Sequence, residues 1–315
     1  MSAPKSGDKL TTAPPIYARR LGGWSIDMLA PLLGAGYAPA TVLNGLVSRR
    51  GLEITRSLAY GDGPRRVLDV YRPGTASASP VVMFFYGGSW QSGRKEMYLF
   101  VAATLARRGY VVLVPDYRIY PEVRYPEFIE DGALAIQWAK ENVGRYGGDP
   151  EKLFVMGHSA GAYVAAMLAI DHRWLEPLGL APLRDIAALI GISGPYDFLP
   201  LKSEVLKTIF GGANRMETQP ISYVSRGKPP ALLLTGGDDD TVDPGNSHRL
   251  AAALRKSGNA ATVVTYSGVG HLATVGAFAR PLRFIAPVLR DVDAFIAAVT
   301  SRSRGGHHVG AETTR

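Results

Sequence analysis

Residues Leu153-Phe154-Val155-Met156-Gly157-His158-Ser159-Ala160-Gly161 form a short apolar run that breaks into a Gly-x-Ser-x-Gly turn and continues as a helical pattern through Ile170. A strand that feeds a helix this abruptly needs a sharp turn where backbones crowd. Gly157 and Gly161 suit it because neither carries a Cβ that would collide. The turn lifts the Ser159 hydroxyl off a rigid scaffold. The helix Ala160–Ile170 aims its N-terminal amides near that hydroxyl, where negative charge would develop. We read Ser159 as a nucleophile. The pentapeptide is common on its own, so its surroundings must carry the reading.

Those surroundings alternate. Leu52–Tyr60 and Arg66–Arg72, joined by Gly61-Asp62-Gly63-Pro64, predict a hairpin-like opening. Val81-Val82-Met83-Phe84-Phe85 is a continuous apolar run of the kind buried on both faces of a parallel sheet. A helix over Lys95–Arg108, closed by Gly109, precedes a strand at Tyr110–Val114 and a helix at Glu127–Asn142. Beyond the serine, strands are expected at Ala187–Ile192, Ala231–Thr235 and Thr262–Tyr266, and helices at Gly245–Lys256 and Val288–Thr300. The class is α/β: a mostly parallel sheet of about eight strands with helices on both faces. Residues 1–20 read as a flexible lead-in, 21–300 as one domain and 301–315 as a flexible tail. Two segments, 24–47 and 195–230, are candidates for a small lid over the site; in the second, Leu199, Leu206, Ile209 and Phe210 accompany Tyr196 and Phe198.

In such a sheet, functional groups gather beyond the carboxyl ends of the strands, where a base and an acid for Ser159 should lie. Of six histidines, His158 adjoins the serine and should point away from its hydroxyl; His172 and His248 fall on helices, and His307 and His308 in the tail. His271, in the loop after the strand ending at Tyr266, is the candidate base. The loop after Thr235 offers Asp238, Asp239, Asp240 and Asp243. Asp243 precedes Pro244 and a helical pattern, as an N-cap does. Spacing does not choose among the other three. Tyr86-Gly87-Gly88-Ser89-Trp90 follows the central apolar strand, and its glycines let backbone amides approach a substrate oxygen.

The chain has no cysteine, which excludes disulfides, thiol nucleophiles and thiolate metal sites and fits a cytoplasmic setting. Its formal charge of +8 is scattered along the sequence and describes a solvated basic surface, so no nucleic-acid partner is expected. The apolar stretch Met28–Val47 is interrupted by Pro31, Gly34, Gly36 and Pro39, which argues against stable membrane insertion. No metal or organic cofactor is required.

With its motifs assembled, the chain resembles the α/β-hydrolase superfamily, in particular carboxylesterases of the hormone-sensitive lipase, kynurenine formamidase and feruloyl-esterase-like group. The resemblance spans Leu52–Thr300. It rests on Leu68-Asp69-Val70-Tyr71-Arg72-Pro73, the Tyr86–Trp90 turn, Asp116-Tyr117-Arg118, Gly147-Gly148-Asp149-Pro150, the serine turn, and the Asp and His loops. The order Ser159, aspartate, His271 is the α/β-hydrolase order. The resemblance implies Asp239 as the acid, and amides of Gly87, Gly88 and Ala160 as the oxyanion hole. It also implies a small-molecule ester substrate of small to medium acyl chain, held in part by Trp90, Tyr196 and Phe198. Arylformamidase or small-peptide amidase chemistry would use the same groups, and a non-catalytic binding protein could share the fold. Relatives usually have His where this chain has Tyr86, which implies altered packing of the oxyanion loop.

Overall fold

The computed structural model describes residues 38–305. The expected lead-in at 1–20, residues 24–37 of the first lid candidate and residues 306–315 of the tail lie outside that range. Among the described residues, eight strands form one sheet in the order β1-β2-β4-β3-β5-β6-β7-β8. β1 (Leu52–Ala59) and β2 (Val67–Pro73) pair antiparallel, and β2 pairs antiparallel with β4 (Val111–Pro115). From β4 onward every pairing is parallel: with β3 (Ser79–Phe85), then β5 (Gly148–His158), β6 (Ala188–Ile192), β7 (Ala231–Gly236) and β8 (Ala261–Tyr266).

Every residue of β4, β6 and β7 is buried, which explains why these strands read as unbroken apolar runs rather than alternating ones. Helices α2 (Leu99–Ala106), α3 (Glu127–Asn142), α4 (Ala160–Ile170), α5 (Pro182–Asp185), α6 (Glu204–Phe210) and α7 (Gly245–Lys256) fill the connections, and α8 (His271–Gly276) and α9 (Val288–Gly305) follow β8. Helix α4 is buried along its whole length, so it shows no amphipathic pattern. Helix α1 (Ala38–Gly45), within the first lid candidate, packs on the segment before α2: Asn44 Nδ2 donates to the Glu96 carbonyl at 2.8 Å.

Three boundaries differ by more than two residues from the sequence expectation, one of them α9, which runs to Gly305 rather than Thr300 and so takes residues 301–305 of the expected flexible tail into a helix. The helix expected from Lys95 opens as a tight 3₁₀ turn, Lys95–Tyr98, and only then becomes α2. Tertiary anchors override helical propensity there: the Lys95 amide donates to Asp116 Oδ1 at 2.8 Å, and its buried ammonium lies 3.1 Å from buried Asp69. Strand β5 begins five residues before the apolar run, because Gly148 pairs with Ser79.

Candidate active site

The chemistry-bearing residues converge at the carboxyl ends of β3, β5, β7 and β8. Ser159 follows β5 with φ 54° and ψ −124°, a left-handed value that a side-chain-bearing residue adopts only under constraint. The constraint is visible on both sides. A Cβ on Gly157 would lie 2.3 Å from the Gly161 carbonyl oxygen, and one on Gly161 would lie 2.1 Å from that of Phe85. The Ser159 amide is tied to the Ile192 carbonyl at 2.9 Å, which docks the turn on β6. The amide of Ala160 precedes the first bonds of α4, made by Ala162 and Tyr163 to the Ser159 carbonyl, and so is one of the helix's unclaimed donors.

His271 opens the short helix α8 (His271–Gly276), and its Nδ1 lies 2.8 Å from Asp239 Oδ2. The Asp239 carboxylate is completed by the amides of Thr241 at 3.1 Å and Val242 at 2.8 Å on its other oxygen. Burial pushes this carboxyl upward, but the hydrogen bond and charge of His271, with the Val242 amide, hold it below the usual carboxylate value. Of the three neighbouring aspartates only Asp239 is buried; Asp238 and Asp240 are exposed. The loop is oriented from outside, by the Gly237 amide on the Tyr266 carbonyl (2.7 Å) and the Asp238 amide on that of Val269 (3.1 Å). Asp243 accepts from the Gly245 amide at 2.9 Å at the start of α7, close to the capping role expected of it.

His158 has a larger part than its sequence position suggests. Its ring packs 4.8 Å from that of His271, and its Nε2 donates to the His271 carbonyl at 3.3 Å. Its Nδ1 is buried with no hydrogen-bond partner. Burial, and then the neighbouring His271, push its pKa down to about 3, so the ring is neutral beside the base.

The loop Tyr86–Trp90, expected to supply oxyanion donors, is braced by its first residue, Tyr86. Tyr86 is fully buried; its hydroxyl donates to Asp116 Oδ1 at 2.7 Å and accepts from Arg65 Nη2 at 2.9 Å. The same Arg65 nitrogen donates to the Gly93 carbonyl at 2.9 Å, beyond the loop. From the other side, the Tyr117 hydroxyl holds the Tyr86 carbonyl at 2.7 Å, and the two rings stack at 4.9 Å. Gly87 passes so close beneath the elbow that a Cβ there would sit 2.9 Å from Ser159 Cβ. Gly88 has φ 142°, and the next two residues, Ser89 and Trp90, are also left-handed, at φ 52° and 59°.

A cavity of about 600 Å³ borders Ser159, Ala160, Ser89, Trp90, Phe198 and Leu199. Trp90 and Phe198 face each other across 6.1 Å at 16°, with Phe210 and Tyr163 set edge-on to Trp90. At the rim, Arg249 joins Asp197 (2.6 Å) to Asp243 (3.2 Å). Tyr196, expected among the substrate-binding residues, is instead a core residue. It has no exposed surface, and its hydroxyl fills the space left by Gly191 and Gly194. Sequence reasoning missed Ser89 as a wall residue, His158 as a neighbour of the base, and the Arg65–Asp116 brace. Among the described residues there is no group of three or more His, Asp or Glu that could hold a metal ion, and no helix long and apolar enough to cross a membrane.

Comparison with known proteins adds the family. The BD-FAE family pattern matches residues 68–254, from β2 to the last turn of α7. The chain belongs to the BD-FAE family. It is 31% identical over 240 residues to a probable isoprenylcysteine alpha-carbonyl methylesterase of Oryza sativa subsp. japonica, covering 70% of this chain and 58% of that protein. It is 30% identical to esterase LipC of Mycobacterium tuberculosis, covering 86% of this chain and 70% of LipC. The chain thus spans a little over half the length of the rice methylesterase. Among solved structures, apo esterase 2 of Thermogutta terrifontis has a TM-score of 0.66 at 25% identity, covering 80% of this chain and 96% of that one. Esterase B of Lactobacillus rhamnosis has a TM-score of 0.72 at 18% identity, covering 85% and 94%, a likeness of fold. The architecture is that of the α/β-hydrolases.

Proposed function

We propose that this protein is a serine esterase that cleaves carboxylic esters of small to medium acyl chain through an acyl-enzyme. The observation that carries the reading is the buried Asp239–His271 pair, at 2.8 Å, at the end of the sheet where Ser159 is held left-handed on its turn. His271 takes the Ser159 proton as Oγ attacks the ester carbonyl, then gives it to the departing alkoxide. Asp239 keeps the Nδ1–H tautomer and stabilises the imidazolium. The amide of Ala160 and those of the Gly87-Gly88-Ser89 turn bind the oxyanion. A water activated by His271 then attacks the acyl-enzyme carbonyl and releases the acid. No metal or organic cofactor enters these steps, and the absence of cysteine fits the cytoplasm as their setting.

The cavity walls support the chain-length part of the reading. Trp90, Phe198 and Leu199 offer apolar surface beside the serine, while the Asp197–Arg249–Asp243 rim is polar. The 195–230 segment is the cover that shapes this space, and the similarity to a probable methylesterase and to an esterase supports the same bond type. The test is labelling by a fluorophosphonate probe, with hydrolysis of nitrophenyl butyrate and palmitate and of formylkynurenine. Labelling at Ser159 and a preference for butyrate are expected, and Ser159→Ala should lower turnover by at least about 10⁴-fold. Full activity in that variant, or faster turnover of the formamide, would overturn the assignment.

A further inference from the structure

A second cavity, of about 630 Å³, lies where the loop after α8 meets the first turn of α9 and the end of α2. Arg108, Arg283 and Arg290 line it, together with Asp293 and the apolar Pro287 and Leu289. Arg107 and Arg280 are close enough to act on Arg283 by charge.

The local charge does not balance. Among the described residues, three guanidiniums line the cavity and two more, Arg107 and Arg280, stand near Arg283, against two carboxylates that are both already engaged. Asp293 accepts from Arg108 at 2.7 Å and from the Tyr110 hydroxyl at 2.9 Å, and Asp291 from Arg290 at 3.2 Å and the Tyr266 hydroxyl at 2.8 Å. Arg107 donates to the Ser48 carbonyl, and Arg283 reaches only the Thr104 hydroxyl, at 3.4 Å. Among the described residues, no carboxylate pairs with Arg107, Arg280 or Arg283. Partial burial, then Arg108, Arg280 and Arg107, push the Arg283 guanidinium below its ordinary pKa, against a smaller opposing pull from Asp293.

We propose that this cavity is a binding site for a phosphate group, separate from the ester-cleaving site. A phosphate monoester brings up to two negative charges and oxygens spaced for the fork of a guanidinium, whereas a carboxylate offers the same spacing with a single charge. The excess of three positive charges beside a concave surface matches it in sign and magnitude. Phe284, next to Arg283, is 73% exposed, so the phosphate could equally be carried by a soluble ester or by a lipid head group whose bilayer receives the ring. The site leads toward the base: the loop that carries Arg280 and Arg283 continues from α8, whose first residue is His271.

The experiment uses the full chain. Inorganic phosphate is titrated in a thermal-shift assay against chloride of equal ionic strength, and flotation compares vesicles of phosphatidylcholine with vesicles containing phosphatidic acid. Arg283→Glu and Arg280→Gln are compared with Arg226→Glu, an exposed arginine outside the cavity that controls for net charge. We expect phosphate to raise the melting temperature in a saturable way, and Arg283→Glu to weaken that binding about tenfold or more, the cost of one charge-assisted contact. Arg280→Gln should weaken it as well, which keeps the test intact if Arg283→Glu folds poorly. Phosphate binding without flotation identifies a soluble phosphate ester. Flotation on phosphatidic acid that is lost in Phe284→Ser identifies a lipid head group. Phosphate and phosphatidic acid that act no better than chloride and phosphatidylcholine, or cavity variants that bind as Arg226→Glu does, overturn the proposal.

Discussion

Lowering the pH from about 7.5 to about 5 should remove roughly 2 kcal/mol of folding stability through one side chain, His158. In the folded chain this imidazole is 1% exposed and its pKa is pushed from 6.5 to about 3, by burial first and His271 second. The sign follows from the proton count. Below about 6.5 the unfolded chain binds a proton that the native ring refuses until about pH 3, so stability falls across that window by up to about 1.4 kcal/mol per pH unit. Between pH 7.5 and 5 the loss integrates to about 2 kcal/mol. His158→Gln removes the titration while keeping an N–H that can reach the His271 carbonyl. Urea unfolding of both proteins at the two pH values isolates the effect, since titrating groups that do not touch His158 contribute to both and cancel. The native protein should lose about 2 kcal/mol more than the variant on acidification, whatever the variant's stability at neutral pH. Equal losses, within about 0.5 kcal/mol, would refute the burial argument, because a ring that takes up its proton in place carries no such linkage.

Asp239→Asn should lower kcat for nitrophenyl butyrate by about 10⁴-fold, whereas Asp238→Asn and Asp240→Asn, at exposed positions, should stay within about threefold of native. Tyr86→Phe deletes hydrogen bonds to the buried Asp116 and from Arg65 and should cost about 3 kcal/mol in urea unfolding, with kcat reduced more than KM changes. Phe198→Ala opens the cavity wall facing Trp90, so the ratio of kcat/KM for octanoate over butyrate esters should rise.

Where the chain's own pattern sets the structure, the sequence is legible. The apolar runs of β3, β6, β7 and β8 and the helices α3, α4 and α7 fall within a residue or two of where periodicity and caps put them. The serine turn is legible because Gly157 and Gly161 have one steric reason to be there. Legibility ends where a choice is made by contacts from another part of the chain. Three consecutive aspartates look alike locally; Asp239 faces inward because the Gly237 amide is hung on the last residue of β8 and the Asp238 amide on the loop after it. Strand alternation turns His158 away from its neighbour's hydroxyl but says nothing of the loop that delivers His271 against it. Tyr196 looked like a pocket residue by type. Its burial depends on two glycines whose open space appears only when β6 and the following turn are folded together.

The segment between β6 and β7 that walls the cavity beside Ser159 is fastened to α7 by two neighbouring side chains, Asn246 and Arg249, the latter bonded to Asp197. Asn246, itself buried, accepts the amides of Tyr196 and Asp197 on one oxygen, at 2.9 and 2.8 Å, and donates to the Asp243 carbonyl. Serine, histidine and aspartate belong to other loops. The wall of the cavity and the three proposed catalytic side chains are therefore carried by different parts of the chain: a foreign segment grafted in place of residues 197–229 should leave the Ser159, Asp239 and His271 loops standing if its first amide meets Asn246 and it replaces the bonds to Arg249, Tyr163 and Asn259. For an engineer, that asparagine marks the seam along which one substrate range can be exchanged for another.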